Sequence, residues 1–553
     1  MSQVITNDKS KGTQVVKLHE QLKNDRTVWD SHWDEVAQFV VPRKDNVYGQ
    51  AVKGEKRGNQ LFDTTAIKAN DDLASALHGM LTNPSIIWFG LNTGEAKIDN
   101  DEKTREWLFN STLKMIQVMN QSNFQTEIHE VYLDLGSIGT ASIRTEADPD
   151  TIVRYYSEPV YEVVLRENNR GIVDFVSREY EYDGRQVMQE FVNDMDAETK
   201  EFIDKELQAN PSKKFMIIQQ VSERSAAEMD GQVGNKAFPI GSIHVLKMNG
   251  AVLRESGFEV WPFATPRWSK INVETYGRSP AMKTLADIKM ANSMKKVTIQ
   301  GAQLAIAPPM QVPDNGFLAP VQIKPFGVNY YRSGSKDRIE PLFTGANPQL
   351  GEQLLDLVHN AIKGHYLMDK LATPQNDRMT ATEILQRRDE QLRFLGPQLG
   401  RMDTELLKPL IDRTFHLCNK AGIFDEMPEV LAEFVQSKGD SFDLAIEYRS
   451  TIAQAQLITQ SENTVRAINS TAFVVGSQPE VMDLIDGDRL LKKNFKIYNV
   501  DPEILRSDAD VAKIRESRAK AQQEAAEREA ASQDSQTIKT LGEADGQGQQ
   551  TGQ

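Results

Sequence analysis

The sequence predicts a mixed α+β protein, mainly α-helical, and three observations lead there. Apolar residues recur at helical spacing through most of the first 140 positions and again beyond position 276. Between them, residues 140–268 carry β-branched and aromatic runs broken by turn residues, the texture of a sheet-rich insertion. With 553 residues, 39% hydrophobic and 26% charged, the chain can bury several substantial cores and has a globular rather than a disordered composition.

In chain order, a helix is expected over about 12–41, with Val16, Leu18, Leu22, Trp29, Trp33, Val36 and Val40 inward. Val41-Pro42 stops it, because the residue before a proline is pushed out of the helical region. A second helix is expected from Thr64 to Leu81, with Ala69, Leu73, Leu77 and Met80 inward and Asn83-Pro84 as its stop. A short buried run, Ser85 to Leu91, follows, then helices near 101–121 and 122–138. Strands are expected at Ile152–Tyr156, Val160–Leu165, Ile172–Val176, Phe215–Gln219 and Ile243–Met248, with a helix at 185–209 between them. Asn249-Gly250 supplies a hairpin turn into Ala251–Leu253.

Ser279 has the character of a helix N-cap and Pro280 that of a first-turn residue. The helix they open, through about Gln300, has only a patchy apolar face: Leu285, Ile288, Asn292 and Val297. An irregular module with Pro308-Pro309 and Asp314-Asn315-Gly316 separates it from a helix over Pro348–Met368, through Leu350, Leu354, Leu357, Val358 and Ile362.

The most strongly marked stretch runs from Asp369 to Cys418. Thr380-Ala381-Thr382-Glu383 has the spacing of a capping box, flanked by Met379 and Ile384 as a hydrophobic staple. Gly396-Pro397 is expected to kink the long helix that follows. Its apolar face resumes through Leu399, Met402, Leu406, Leu407, Leu410, Ile411, Leu417 and Cys418 until Gly422. The proline-broken loop before it, 369–378, is a good place for a working loop on a rigid mount. Beyond 422, helices are expected at 428–437, 451–470, 479–495 and 508–533, the last too polar to bury a face by itself. The Gly/Gln-rich end reads as disordered.

Charge and motifs exclude more than they assign. Lys and Arg total 64 against 79 Asp and Glu, a net charge of −15, unlike a protein that grips nucleic acid by neutralising phosphates. The single cysteine, Cys418, rules out an intrachain disulfide framework. No apolar run is long enough to span a bilayer, and the N-terminus lacks the basic and apolar regions of a secretion signal. There is no P-loop, no nucleophile elbow and no zinc-binding helix: His19-Glu20 and His129-Glu130 lack the second histidine. His78 and His359 read as surface or core-edge residues. Asp71-Asp72 and Asn100-Asp101-Glu102 are placed at helix starts, where carboxylates favour the macrodipole, rather than in a two-metal site. No enzyme, metal or cofactor is expected.

Four stretches taken together resemble the phage portal family, the head-to-tail connectors of short-tailed, podovirus-like phages. They are Lys23-Asn24-Asp25-Arg26, the segment Ala69 to Leu77 before Asn83-Pro84, Tyr276-Gly277-Arg278-Ser279-Pro280, and Asp377 to Ile384. The resemblance implies a ring of about twelve subunits around a central channel. It implies a wing at 1–275, stem helices at 276–301 and 346–368, and a clip at 302–345. A tunnel loop at 369–379, a kinked wing helix at 380–425, a crown at 426–533 and a disordered tail at 534–553 complete the division. The implied partners are double-stranded DNA passed without sequence specificity, the terminase large subunit, tail adaptor and tail tube proteins, scaffold and major capsid protein. The implied place is the portal vertex of the virion, after synthesis in the bacterial cytoplasm, with no membrane involved.

An acidic wall that repels phosphate suits a conduit, and a few cations can brake the duplex. Lys370, Arg378, Lys289 and Lys363 are the candidates for that role, and Arg332, Lys336 and Arg338 for contacts of the clip with its partners. A tail adaptor or other structural virion protein is the alternative, and a packaging-associated nuclease or ATPase a more distant one.

Overall fold

The computed structural model describes residues 2–44, 57–99, 101–306, 310–311, 340–341, 348–368, 396–438, 445–448, 461, 464–468, 487–497 and 510–528. The chain divides into two compact units, one of residues 1–90, 112–425 and 446–456, the other of 91–111, 426–445 and 457–553.

In the first unit, the single helix expected over 12–41 is two, α1 Ser2–Asp25 and α2 Thr27–Val40. The break falls at Arg26, whose side chain is buried. Its guanidinium donates to the carbonyls of Val160 at 3.0 Å, Val163 at 2.5 Å and Tyr161 at 2.9 Å, and pairs with Asp30 at 2.7 Å. A buried cation must be fully partnered, and local helical regularity gives way to that demand. Trp33 on α2 then enters a core with Val160, Val163, Val176, Val221, Phe263 and Tyr276.

Helix α3, Thr65–Leu81, buries Ala69, Leu73, Leu77 and Leu81 as expected. Asp71 and Asp72 lie exposed in its second turn, not at its start. The short strand β1, Phe89–Asn92, and the turn α4, Ala96–Asp99, precede α5, Glu102–Gln121, and α6, Phe124–Ser137. At α5 the expected acidic cap is present: the Asp101 carboxylate accepts from the Thr104 amide at 3.0 Å.

Two antiparallel sheets make the insertion. Strands β2, Ser142–Asp148, and β3, Ile152–Glu158, form the smaller one, closed on the far edge of β2 by β9, Phe263–Ala264. The larger is a meander of β4 Val163–Glu167, β5 Val173–Asp183, β6 Lys214–Glu223, β7 Ile240–Leu246 and β8 Ala251–Phe258. The helix expected over 185–209 is again two, α7 Gly184–Phe191 and α8 Ala197–Ala209. Asp196 breaks the run by capping α8 through the Thr199 amide at 2.8 Å. These helices cover one sheet face through Val187, Phe191, Ile203, Ile217, Leu246 and Leu253. The opposite face seats α1 on a smaller apolar patch, Val15 against Ile218 and Val245. Polar contacts supplement that patch: Glu179 takes Lys23 at 2.6 Å and Lys247 at 2.6 Å.

A four-residue turn α9, Ala226–Met229, links β6 to β7. After β9 come α10, Pro280–Lys283, α11, Leu285–Ile306, and α12, Pro348–His365. Met310–Gln311 and Glu340–Pro341 pair as two-residue antiparallel strands. The expected capping box at 380–383 lies outside the described residues. Downstream, Gly396–Met402 is α-helical, Asp403–Leu407 π-helical, and Lys408–Lys420 α-helical again. The π-turn sits immediately before Pro409, where a wider ring relieves the clash of proline with the preceding turn. Met402, Leu406, Leu407, Leu410, Ile411, Leu417 and Cys418 are buried as expected, and burial pushes the Cys418 thiol up to about 12. Gly422, at φ +70°, ends the helix with the Ile423 amide donating to Cys418 O at 3.3 Å.

Described residues of the second unit include the helices Glu429–Lys438, Gly487–Ile497 and 510–528. Residues 510–528 are exposed almost throughout, in keeping with their polar sequence, and Arg515 forks onto Asp488 at 2.7 and 2.8 Å. No helix among the described residues is long and apolar enough to cross a membrane.

Candidate functional site

The feature that stands out chemically is the helix pair α11 and α12, and its mounting begins at Ser279. The Ser279 hydroxyl accepts from the Met282 amide at 3.0 Å and donates to Ser137 O at 2.7 Å, so the N-cap of α10 is tied to the end of α6. Beside it two backbones touch. Gly139 has φ +86°, and a Cβ there would stand 2.6 Å from Ser279 N; a Cβ on Gly277 would stand 2.4 Å from Gly139 O. No other residue fits either position without moving a backbone. The Gly277 amide donates to Thr140 Oγ1 at 2.8 Å and the Trp268 amide to Gly139 O at 2.9 Å, closing the joint.

From this joint α11 runs out and α12 returns antiparallel to it. Gly351 faces Thr298 so closely that a Cβ would meet Thr298 Oγ1 at 2.7 Å. Farther back, both helices reach residues 60–63. Asn292 Oδ1 accepts from the amides of Phe62 at 2.7 Å and Asp63 at 3.1 Å, and Asn292 Nδ2 donates to Gln60 O at 2.9 Å. His359 Nε2 lies 2.6 Å from Asp63 Oδ2, while Asp63 Oδ1 caps α3 through the Thr65 amide at 2.9 Å. Burial alone would raise the Asp63 carboxyl; the Thr65 hydrogen bonds and His359 outweigh it and hold it below its ordinary value.

A carboxyl held down contributes stability above its unfolded pKa, about 3.9, and loses it as pH falls through its lower folded value. Asp63→Asn is therefore expected to cost about 1 kcal/mol at neutral pH. The gap between the two proteins, read from urea unfolding, should close as pH falls below about 4. A gap independent of pH would show that the charge of Asp63 contributes nothing.

The apolar faces of the pair divide sharply. Near the joint Leu285, Ile288 and Ala291 on α11 are buried, as are Leu355, Val358, Ile362 and Tyr366 on α12. Leu350, Leu354 and Leu357, expected inward, are 54, 46 and 67% exposed, and Val297 and Ile306 on α11 are 64 and 85% exposed. The sequence reading of α12 thus selected the wrong stripe: Leu355 and Tyr366 do the packing against α11 and its surroundings, while the 350/354/357 stripe has nothing to bury against within the chain.

The predicted cations fall differently. Lys289 pairs with Glu35 of α2. Lys363 is exposed on the last turns of α12. Lys370 and Arg378, and likewise Arg332, Lys336 and Arg338, lie outside the described residues. Sequence reading missed Asp63 and Asn292 as the clasp on the two helices; the only available signal was an asparagine in an otherwise apolar row.

No catalytic arrangement competes with this. His19 lies 2.7 Å from Ser177 Oγ and 3.3 Å from Glu179 Oε2, the members of a nucleophile–base–acid set, but all three are buried under α1 with Glu179 already held by two lysines. They anchor the helix. Among the described residues no group of three His, Cys, Asp or Glu side chains could hold a metal.

Comparison with known proteins agrees with this architecture. Residues 13–505 match the family model described as bacteriophage head to tail connecting protein. The chain is 30% identical over 532 residues to the probable portal protein of Bordetella phage BPP-1, covering 95% of this chain and 94% of the relative. It is 28% identical over 543 residues to the portal protein of Salmonella phage epsilon15, covering 96% and 95%. A mainly helical α+β chain with matches of this length belongs to the family of bacteriophage head to tail connecting proteins.

Proposed function

We propose that this virion connector works as a portal: about twelve copies close into a ring whose channel passes double-stranded DNA without reading its sequence. The observation that carries this is the exposed apolar stripe Leu350, Leu354, Leu357 on α12, with Val297 and Ile306 on α11. Fully burying a leucine is worth about 1.5–3 kcal/mol, so a helix pair with this much uncovered apolar surface is built to be covered. A closed heterologous ring covers it by setting each pair against its neighbours.

On this reading residues 1–275 are the wing, 276–301 and 346–368 the stem, 302–345 the clip, 369–379 the tunnel loop, 380–425 the wing helix and 426–533 the crown. A head-to-tail connector has the capsid and the tail as neighbours. Terminase large subunit, tail adaptor and tail tube proteins would meet the clip, through Arg332, Lys336 and Arg338, and scaffold and major capsid protein would meet the wing. Net charge supports passage rather than grip: at −15 per subunit the ring repels phosphate. Lys363, Lys370 and Arg378 are the cations proposed to slow the duplex. Lys289 can join them only by giving up Glu35.

The test is negative-stain electron microscopy of the purified protein. Rings with a central hole, of one symmetry, are expected. Solid particles or small closed oligomers without a hole would refute the channel and favour a tail adaptor.

A further inference from the structure

We infer that a two-lobed cleft in the first unit, between the β4–β5 turn, residues 270–272 and the π-helical turn Asp403–Leu407, docks an acidic peptide segment that carries an apolar side chain beside its carboxylates. The first lobe, about 650 Å³, is lined by Arg170, Lys270, Arg401, Asn169, Asn272 and Glu405 among others. Three cations face one carboxylate there, and that carboxylate is already engaged: Arg267 holds Glu405 through Nη2 at 2.8 Å and Nε at 3.0 Å. Arg401 reaches only to 3.8 Å from Glu405, and the exposed Arg170 guanidinium has no partner among the described residues. The Lys270 amine is held below its ordinary value, by burial first and then by Arg267 and Arg401, as a site with surplus positive potential requires. Within a chain of net charge −15 such a surplus is conspicuous.

The second lobe, about 520 Å³, shares Arg170, Gly171, Thr404 and Glu405 with the first, so the two are continuous. It is lined by Ile172, Val260, Trp261 and Pro409. Ile172 is 58% exposed, and Ile271 and Val273, on the segment that carries Lys270 and Asn272, are 55 and 94% exposed. This apolar half decides between anionic partners. A free phosphate or a nucleic-acid backbone would use the cations and leave the apolar lobe unfilled, and a duplex could not bring its phosphates down to Lys270, whose side chain is 9% exposed. A carboxylate on an extended peptide reaches it, with the neighbouring apolar side chain in the second lobe.

The experiment uses the full chain and a fluorescein-labelled peptide, Asp-Glu-Trp-Glu-Asp, followed by fluorescence anisotropy. Saturable binding that weakens with salt is expected. Arg170→Glu and Arg401→Glu should each lower affinity by about ten-fold or more, and Ile172→Asn by about three- to ten-fold. Arg170 and Ile172 are exposed, so unchanged melting curves would show that those two variants fold. Absence of saturable binding, or equal affinity in all the variants, overturns the proposal. So does equally strong competition by inorganic phosphate or a short DNA duplex, which would make this a phosphate site. A change in oligomeric state with Arg170→Glu, without a change in peptide binding, would make it a surface between copies and would overturn it too.

Discussion

Arg267→Met should destabilise the first unit by about 3–5 kcal/mol, the largest loss expected from any single side chain here. The guanidinium is almost wholly buried, and all of its nitrogens are used. It forks onto Glu405 at 2.8 and 3.0 Å, pairs with Glu167, and donates to Thr275 O at 3.1 Å and Gly171 O at 3.1 Å. Methionine matches the volume but abandons two carboxylates and two carbonyls, so the cost is that of stranded polar groups rather than of a cavity. Arg267→Lys should recover little of it, since one ammonium cannot span the fork. Urea unfolding followed by circular dichroism measures the loss, and Glu405→Gln in the Arg267→Met background should cost much less than Glu405→Gln alone. A loss below about 1 kcal/mol would show that the network is solvated in practice.

Leu354→Lys with Leu357→Lys should abolish ring assembly while leaving the subunit folded. Both side chains are exposed in the subunit, so each change should alter its stability by no more than about 0.5 kcal/mol. In the ring the same positions would place unpaired ammonium groups in an apolar contact, once per subunit around the whole circle. Leu355→Lys is the control with the opposite pattern. Leu355 is 3% exposed, so its replacement should unfold the helix pair and lower stability before assembly is in question. Size-exclusion chromatography and electron microscopy separate the cases. Normal rings from the double variant would remove the exposed stripe as the basis of the assembly.

Elements whose own residues dictate their state were legible in the sequence. The Ser279-Pro280 helix start, the α3 stripe Ala69, Leu73, Leu77, the meander strands and the stop at Gly422 all follow from local propensity and spacing. Both helices wrongly read as continuous break for reasons that lie far away in sequence or in cap chemistry. Arg26 leaves the helical path for carbonyls some 134 to 137 positions downstream, and Asp196 prefers a cap to a helix interior. The α12 stripe failed for a different reason. Leucines at 350, 354 and 357 carry the same periodic signal whether they face a core or a neighbouring molecule, and only Leu355, one position away, shows which side the chain keeps for itself. The clasp of Asp63 and Asn292 on two helices was invisible because asparagine and aspartate signal turns and caps far more often than tertiary ties. Several cations selected from sequence fall outside the described residues, and of the two within them Lys289 is engaged by Glu35 and Lys363 is free to meet solvent.

The joint where Gly139 meets Gly277 has a mechanical consequence. Side-chain contacts yield under load by changing rotamer, which makes most interfaces between elements somewhat elastic. Here main chain bears directly on main chain, pinned by the Ser279 to Ser137 and Gly277 to Thr140 hydrogen bonds. A torque applied to α11 would pass into α6 as through a welded pivot, with almost no damping and no lost motion.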